Sequence, residues 1–404
     1  MKMIDINDFI KKNVIFRNTS MFLEDIENNR KELTEKIHNK SVLVIGGAGS
    51  IGSSFIKAIL PFKPRTLVVV DINENALTEL TRDLRSSNDT CVPMDYVTYP
   101  MSYSDRVFEK MIRLRKGFDI VANFSAHKHV RSEKDILSVE SLLRNNVLDA
   151  VKLLDLLSEY PPEVYFCVST DKAANPVNIM GASKRIMEDL IFSYSEKFPT
   201  KTARFANVAF SNGSLPAGFL QRLNKKQPLS APSDVKRYFV SPEESGHICM
   251  LACLLGKNRE IFYPKLNEKE MISFDLIAIN LLREYGYEPD KCLSDEEALS
   301  KMQKFNVSDK FYPVHFSPSD TSGEKMYEEF YTSYEDTDVD RYSSLGVIIN
   351  KNIPDKSILN YMMDQLEKIF ESGCNDKDEV VKILESYLPN FRHVETGKSL
   401  DSKM

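Results

Sequence analysis

A glycine-rich turn between two short apolar strands constrains the fold of this chain more than any other feature. The turn Gly46–Gly52 reads G-G-A-G-S-I-G and follows the apolar run Val42–Ile45. A predicted helix continues to Leu60, and a second apolar run, Leu67–Val70, ends at Asp71. Strand, glycine turn, helix, strand and acid in this order are typical of a dinucleotide-binding unit. The sequence therefore predicts an α/β fold built on a parallel, doubly wound sheet.

The same turn contains most of the predicted cofactor contacts. Glycines let the backbone approach a pyrophosphate, and the following helix offers it unpaired N–H groups. The carboxylate of Asp71 suits a ribose diol and would repel a 2′-phosphate, so we expect NAD rather than NADP. The predicted cofactor-binding residues here are Gly46, Gly47, Gly49, Ser50, Ile51, Gly52 and Asp71. A purely structural glycine turn is the alternative interpretation.

Further strand–helix units extend the pattern. A weak strand near Val92–Met94 is predicted to lead to Asp95, which would border the adenine. The stronger strand at 119–123 leads to Ser125 and Ala126, which we predict to be cofactor contacts because ligands bind at the carboxyl ends of parallel strands. Repeated βαβ units imply right-handed crossovers and one parallel sheet.

Two other features of this region are less specific. One long helix is expected from about Val139 to Tyr160, with Asn145 and Asn146 in its interior. His127 and His129 have no third partner at a spacing typical of metal ligands, so we predict no metal site and assign both histidines to structural or crevice-lining roles.

A dense group of polar side chains follows the apolar strand Val164–Val168. The tetrapeptide S-T-D-K at 169–172 falls at the carboxyl end of this strand. After Asn175-Pro176, a helix is predicted to begin near Met180 and to carry Lys184 one turn later. A carboxylate and amines in a half-buried crevice shift one another's pKa values, as acid–base chemistry requires. A surface ion pair beside a strand-end cap is the alternative interpretation of Asp171 and Lys172.

Composition and charge limit the partners that we expect. The chain has 404 residues, 42% of them hydrophobic, and a formal net charge of −6. Such an acidic chain is not expected to bind nucleic acid or anionic membranes. With no signal-peptide pattern and no apolar run long enough for a membrane span, we expect a cytoplasmic protein. Of the six cysteines, Cys249 and Cys253 share a helical face, and we predict that they pack in the core.

Both ends of the chain are expected to be helical extensions. Residues 1–40 are predicted to form an arm that packs on the protein or on another copy, with a flexible extension as the alternative. Residues 355–390 are predicted to form two amphipathic helices that separate near Gly373. The last dozen residues carry no structural pattern, and we expect them to be frayed.

The glycine turn, T-D-K, the M-G-x-x-K spacing and K-R-Y-F together resemble the extended short-chain dehydrogenase/reductases. More narrowly, they resemble the nucleotide-sugar 4,6-dehydratases that act on UDP-N-acetylglucosamine in bacterial glycan synthesis. The most specific stretch is T-D-K-A-A-N-P-V-N with the G-A-S-K that follows it. The other stretches are Gly46–Gly52, Asp71-x-x-Glu74-Asn75, Lys128-His129-Val130, Arg237-Tyr238-Phe239 and Gly323-Glu324-Lys325.

The resemblance implies a domain organisation. A Rossmann part is expected mainly at 41–206 and a smaller, intercalated substrate-binding part mainly at 207–340. Helical extensions are expected at 1–40 and 341–404, outside the resemblance. We also expect a homo-oligomer.

The resemblance also implies a redox-neutral reaction. Hydride moves from C4 of a UDP-sugar to bound NAD, water is lost across C5 and C6, and hydride returns to C6. We interpret Asp171 as the acid for the 6-hydroxyl, Lys172 as the base at C5 and Lys184 as the holder of the nicotinamide ribose. The implied catalytic residues are Thr170, Asp171, Lys172, Met180 and Lys184, and the implied substrate contacts are Lys128, His129, Asn207, Arg237 and Glu324.

Several of these residues also have a purely structural interpretation. Arg237 could be a solvated surface arginine rather than a phosphate ligand, and Glu324 could merely begin a helix. Met180 occupies a position where the superfamily usually has tyrosine, and a thioether cannot take up a proton. Many members of this dehydratase group also carry Met there, and they retain the configuration at C5. A nucleotide-sugar 4-epimerase and a non-catalytic NAD- or sugar-nucleotide-binding protein are the competing functions.

Overall fold

The computed structural model describes residues 4–87, 91–128, 133–319, 329–350, 352–373 and 376–394. Strands and helices alternate over most of this range. The strands are β1 (Ser41–Ile45), β2 (Thr66–Asp71), β3 (Asp95–Pro100), β4 (Ile120–Asn123), β5 (Val164–Thr170), β6 (Thr200–Phe205), β7 (Asn207–Val208), β8 (Leu229–Pro232), β9 (Lys236–Arg237), β10 (Phe239–Val240), β11 (Glu260–Pro264), β12 (Ile272–Ser273), β13 (Glu288–Lys291), β14 (Phe311–Ser317), β15 (Thr337–Asp338) and β16 (Leu345–Ile349).

The helices cover both faces of the sheet and extend the chain at both ends. They are α1 (Ile6–Asn13), α2 (Leu23–Asn28), α3 (Arg30–Ile37), α4 (Ser50–Ile59), α5 (Glu74–Ser86), α6 (Arg106–Arg115), α7 (Ile136–Leu143), α8 (Asp149–Glu159), α9 (Ile179–Ser193), α10 (Leu215–Asn224), α11 (Pro242–Leu255), α12 (Phe274–Glu284), α13 (Asp295–Gln303), α14 (Lys356–Glu371) and α15 (Lys377–Tyr387).

A nine-stranded sheet lies at the centre of the described chain, in the order β15-β16-β11-β6-β5-β4-β1-β2-β3. The strands from β11 to β3 run parallel to their neighbours, whereas β16 and β15 are antiparallel. The chain order reverses between β1 and β4, and a crevice opens beyond the carboxyl ends of two such strands. The predicted doubly wound α/β fold is confirmed.

The central strands are apolar along their whole length because helices cover both faces of the sheet. Four of the five residues in β1 and five of the six in β2 are buried. Such continuous apolar runs are typical of parallel strands. On one face α4 packs against α11, and a Cβ at Gly246 would lie only 2.3 Å from the carbonyl oxygen of Ser54. The predicted core positions of Cys249 and Cys253 on α11 are confirmed, since both are fully buried.

A second, smaller core lies beside the main one. Residues of α1, α10, α12, β8 and β14 form it, and β8 and β14 belong to the three-stranded sheet β13-β14-β8. In sequence, α11 and β11 fall between these elements, yet they belong to the main core. The chain therefore passes from the main core to the smaller one and back more than once.

The N-terminal segment joins the two cores. Phe9 and Ile10 of α1 are buried in the smaller core, whereas Phe22 and Leu33 are buried in the main one. Between them, the guanidinium of Arg17 pairs with Glu244 at 2.6 Å and with Glu270 at 3.3 Å. The flexible-extension alternative is therefore wrong for residues 4–40.

The main unit continues beyond residue 340, where the sequence predicted its end. β16 pairs with β11 in antiparallel register from Leu345 to Ile349, so these residues complete the central sheet. The two amphipathic helices predicted after them are confirmed as α14 and α15. Their apolar faces are buried in the main core through residues such as Leu359, Leu366 and Leu384.

The predicted position of Asp95 beside the adenine is wrong. The strand does not precede Asp95 but begins with it, and Asp95 pairs with Thr66 at the amino end of β2. Its carboxylate binds the guanidinium of Arg115 at 3.0 Å, at the edge of the sheet opposite the glycine turn. The strand is formed by the β-branched and aromatic run Tyr96–Tyr99, which favours a pleated conformation more than Val92–Met94 does.

The predicted long helix from Val139 to Tyr160 is interrupted. A five-residue π-helical turn, Arg144–Leu148, separates α7 from α8 and contains both interior asparagines. Such turns are frequent at functional sites.

Among the described residues, no helix combines the length and the apolar character that crossing a membrane requires.

Candidate active site

The glycine turn faces the loop that follows β4, at the point where the strand order reverses. Gly46 has a φ of +69°, and a Cβ there would lie 2.6 Å from the backbone nitrogen of Ser125. A Cβ at Gly47 would lie 2.4 Å from Val69 Cγ1, and one at Gly52 would lie 2.5 Å from the carbonyl oxygen of Gly46. The turn therefore needs glycine at these positions, and it brings the predicted contacts near 46 and 125 together.

The first turn of α4 forms an end suited to an anion. Its N-cap residue is Gly49, which has no side chain to bond the first N–H groups of the helix. The carboxylate of Asp71 accepts a hydrogen bond from the backbone nitrogen of Ala48 at 3.0 Å, so the acid lies at the turn. The Ser50 hydroxyl accepts one from the backbone nitrogen of Asn212 at 2.9 Å, and Ile51 packs against the main core.

This arrangement fits the dinucleotide that the sequence predicts. The glycine turn would let a pyrophosphate approach the backbone, and the N-terminus of α4 would offer it N–H groups. Asp71 ends β2, and its spacing from the glycine turn is the one at which an acidic residue binds a ribose hydroxyl in such folds. Ser125 and Ala126, both half-buried, lie at the carboxyl end of β4 on the same edge of the sheet.

Gly52→Ala is expected to weaken NAD binding by at least about tenfold, which corresponds to about 1.4 kcal/mol. The added Cβ would lie 2.5 Å from the carbonyl oxygen of Gly46, and backbone on both sides must shift to relieve the contact. Calorimetric titration with NAD measures the effect. Gly218→Ala on α10 is the matched control, because its Cβ would meet only the movable end of Arg222. Equal affinities for the two variants would contradict the assignment of the turn.

Thr170, Asp171 and Lys172 form a compact acid–base group where β5 ends. The carboxylate oxygen Oδ1 of Asp171 accepts hydrogen bonds from the Thr170 hydroxyl at 2.7 Å, from the Lys172 backbone nitrogen at 2.9 Å and from Lys172 Nζ at 3.1 Å. The side chains of Asp171 and Lys172 are 4% and 18% exposed, so the surface-ion-pair alternative is wrong. An ammonium and a carboxylate thus meet in a site with little access to water.

This group lies against the first turn of α9. A Cβ at Gly181 would lie 2.7 Å from the carbonyl oxygen of Lys172, so glycine is required for the close approach. Met180, one residue earlier, is 2% exposed and packs in the main core. The structure therefore brings the short turn at 171–173 and the start of α9 together, as the sequence predicts.

Lys184 projects from the next turn of α9 toward β5. It is 3% exposed, and its Nζ donates a hydrogen bond to the carbonyl oxygen of Val168 at 3.0 Å. Burial lowers the pKa of this amine from its ordinary value. This buried amine contacts β5 at Val168, two residues before Thr170, near the end of the strand where we expect a ligand to lie.

Asn146 links the loop after β4 to α9. Its amide accepts from the His127 backbone nitrogen and donates to the His127 carbonyl oxygen, each at 2.9 Å, and it donates to the Ser183 hydroxyl at 3.1 Å. The π-helical turn places this side chain between the two elements. The sequence showed only an asparagine inside a predicted helix, so this role was missed.

The predicted substrate contacts are only partly described. Arg237 on β9 is 3% exposed, so it is not a solvated surface arginine. Asn207 on β7 lies near Arg237, because its backbone nitrogen donates a hydrogen bond to the carbonyl oxygen of the next residue, Tyr238, at 3.1 Å. Lys128 is exposed beyond the carboxyl end of β4. His129 and Glu324 lie outside the described residues.

Two buried groups next to the acid–base group were also missed. Ser169 donates to Glu188 at 2.6 Å, and Glu188 is paired with Arg204 at 2.7 Å. The carboxylate of Glu133 binds the backbone at the start of α9. The partners are far apart in sequence, and no local pattern indicates that they meet.

Known proteins support the interpretation of the fold. The family described as polysaccharide biosynthesis protein matches residues 42–349, from β1 to the end of β16. The X-ray structure of Pen from Bacillus thuringiensis is similar to this chain with a TM-score of 0.61 at 20% identity, over 82% of this chain and 99% of that one. At that identity the likeness concerns the fold.

Several curated relatives match a large part of the sequence. The uncharacterized membrane protein MJ1061 of Methanocaldococcus jannaschii is 33% identical over 66% of this chain and 77% of its own length. The probable polysaccharide biosynthesis protein EpsC of Bacillus subtilis is 29% identical over 75% of this chain, which spans only 47% of that relative. A UDP-N-acetylglucosamine 4,6-dehydratase (inverting) of Campylobacter jejuni and a UDP-glucose 4-epimerase of Rickettsia typhi are each 26% identical, over 57% and 56% of this chain.

Proposed function

The chain belongs to the extended short-chain dehydrogenase/reductase family of polysaccharide biosynthesis proteins, and we propose that it is an NAD-dependent nucleotide-sugar 4,6-dehydratase. The proposed substrate is UDP-N-acetylglucosamine, and the product is the corresponding 6-deoxy-4-keto sugar nucleotide. The observation that carries this proposal is the buried contact of Asp171 with Lys172 and Thr170 at the end of β5. Elimination of water needs an acid and a base side by side, and this contact supplies both.

The glycine turn, the N-terminus of α4 and Asp71 would hold NAD, with Lys184 at the nicotinamide ribose. NAD, when bound, supplies reversible hydride transfer. The low exposure of the Asp171 and Lys172 side chains limits the access of bulk water to this acid–base group. The 4-keto group acidifies the C5 hydrogen, so proton removal at C5 falls to a side chain of the protein.

Thr170 and Asp171 would handle the proton of the sugar O4. The Thr170 hydroxyl donates to Asp171 Oδ1 at 2.7 Å, so a proton that leaves O4 can reach the carboxylate through this hydroxyl. Asp171 is then a carboxylic acid and can protonate the departing 6-hydroxyl, which leaves as water. This route does not need a phenol, and it therefore accounts for a site with Met180 in place of tyrosine.

Lys172 would take the C5 proton. This step requires a neutral amine at Lys172. The C5 proton goes to Nζ as the C6–O bond breaks, so the double bond forms between C5 and C6. Return of this proton to the same face of C5 retains the configuration there, as the resemblance to Met-bearing dehydratases implies.

The proposal is tested by incubating the purified protein with UDP-N-acetylglucosamine and NAD in heavy water. Loss of one water by mass, with one deuterium bound at C5, supports the dehydratase. An isobaric product epimeric at C4 would instead establish the epimerase, the second candidate, which is favoured by the 26% identity to a UDP-glucose 4-epimerase. Recovery of unchanged sugar nucleotide would overturn both and leave the non-catalytic binding function.

A further inference from the structure

The N-terminus of α9 is bound by a carboxylate from a distant loop. Glu133 Oε2 accepts from the backbone nitrogen of Ile179 at 3.0 Å, and Oε1 accepts from that of Met180 at 2.8 Å. The N-cap side chain of Asn178 binds the next backbone nitrogen, that of Gly181, at 2.8 Å. The first three N–H groups of the helix thus have side-chain partners, although helix N-termini ordinarily leave these groups open.

The C-terminal segment holds this carboxylate from its other side. His393 Nε2 lies 3.5 Å from Glu133 Oε2, and the two side chains are 6% and 8% exposed. The neighbouring backbone nitrogen of Val394 donates to the carbonyl oxygen of Val177, directly before the N-cap of α9. Lys377 Nζ, at the start of α15, donates to the backbone carbonyl oxygen of Glu133 at 3.3 Å.

An aromatic contact and a hydrogen bond hold the same segment in place. Phe391 is fully buried in the main core, and its ring lies 6.3 Å from that of His393. Tyr387, at the end of α15, donates to Asp189 on α9 at 3.3 Å. Tyr387, Phe391 and His393 follow Ile349, where the family match ends, so this side of the contact lies outside the matched range.

We propose that Glu133 and three later residues, Phe391, His393 and Val394, here called the C-terminal clamp, position the first turn of α9 for the reaction. The inference rests on the proposed function, because that turn carries Met180 and Gly181 and lies against Lys172. Glu133 is a positioning residue: it binds two backbone nitrogens of α9, and His393 keeps its carboxylate in the orientation that reaches both. Loss of the clamp lets the turn move relative to the acid–base group without opening the glycine turn.

His393→Phe is expected to lower kcat at least tenfold while the KM for the sugar nucleotide and the affinity for NAD stay within twofold. The phenyl ring keeps the buried contact with Phe391 and removes the nitrogen that faces Glu133. Glu133→Gln is expected to have at least as large an effect, because the amide also replaces one of the two oxygens that accept from α9, and the double variant is expected to be no worse than Glu133→Gln alone. Arg392→Ala is the control, since among the described residues its side chain binds only the carbonyl oxygens of Pro389 and Phe391.

Amide hydrogen exchange gives a readout that does not depend on turnover. Exchange at Ile179 and Met180 is expected to accelerate at least tenfold in both variants and to stay unchanged in Arg392→Ala. If the wild-type protein does not dehydrate the sugar nucleotide, the proposed function fails while the exchange experiment still tests the clamp. Wild-type kcat and wild-type exchange in folded His393→Phe and Glu133→Gln would overturn the inference.

Discussion

Asp171→Asn is expected to lower kcat for dehydration by about 10²–10⁴-fold, the range typical of removing a general acid. The amide is nearly the same size as the carboxylate and can accept a hydrogen bond from Thr170, but it cannot carry a proton from O4 to the 6-hydroxyl. Product formation followed by mass spectrometry measures the loss. Binding of NAD is expected to be unchanged, because the glycine turn follows β1, whereas Asp171 follows β5.

Lys172→Met separates the two roles of the pair. It is expected to lower kcat by a similar factor and to abolish deuterium incorporation at C5 in heavy water, since no base remains at that carbon. Asp83→Asn is the matched control, because Asp83 forms an ion pair with Lys57 in which both side chains are half-exposed. Turnover within threefold of wild type for Asp171→Asn or Lys172→Met would remove the acid–base assignment.

Arg204→Met is expected to destabilise the fold by about 3–5 kcal/mol, as removal of one partner from a buried ion pair does. Arg204 is fully buried and donates to both oxygens of Glu188, which is itself fully buried, and to both oxygens of Glu335. Without the guanidinium, Glu188 keeps only Ser169 and Arg185 as described partners. Urea unfolding measures the free-energy change.

Two variants show whether the loss comes from the unpaired charge. Arg204→Met combined with Glu188→Met is expected to recover part of the stability, because the fully buried carboxylate that lost its partner is also removed. Arg283→Met, which breaks an exposed pair with Glu288, is expected to cost at most about 1 kcal/mol. A loss in Arg204→Met no larger than in Arg283→Met would contradict the buried-network interpretation.

The same network predicts a pH dependence of the free energy of unfolding. Burial alone would raise the pKa of Glu188, but the charge of Arg204 and its hydrogen bonds outweigh burial, and the pKa is lowered. A carboxyl whose folded-state pKa is lowered stabilises the fold above its unfolded-state pKa and loses that contribution as the pH falls through the folded-state value. Stability in wild type is therefore expected to fall on acidification below the ordinary glutamate range, and less steeply in the Arg204–Glu188 double variant.

Features that depend on neighbours in sequence were predictable. The glycine turn, Asp71 and the group Thr170–Lys172 each follow an apolar strand, and the carboxyl end of a strand in a parallel sheet fixes where such residues lie. The position of Asp95 was not predictable in the same way, because the true strand, β3, is only partly buried and alternates weakly. A boundary error of a few residues placed Asp95 at the carboxyl ends of the strands, whereas it lies at their amino ends.

Features that depend on distant partners could not be read from the sequence. Arg204 meets Glu335 across 131 positions, and Lys377 meets Glu133 across 244. No periodicity or spacing encodes such contacts, since they arise only when the sheet and the outer helices are assembled. The antiparallel addition of β16 was missed for the same reason, because its partner β11 lies about 80 residues earlier.

The route of the chain between the two cores affects how the protein can be made. Arg17 contacts Glu244 across 227 positions, and Glu133 contacts the segment around His393, so both ends close loops of hundreds of residues. Long-range closure of this kind slows folding. On the ribosome, the strands of the central sheet are synthesised before the segment around His393, so the start of α9 gains its contacts only after most of the sheet is available. Chaperones therefore have a long interval in which to bind the exposed apolar surface.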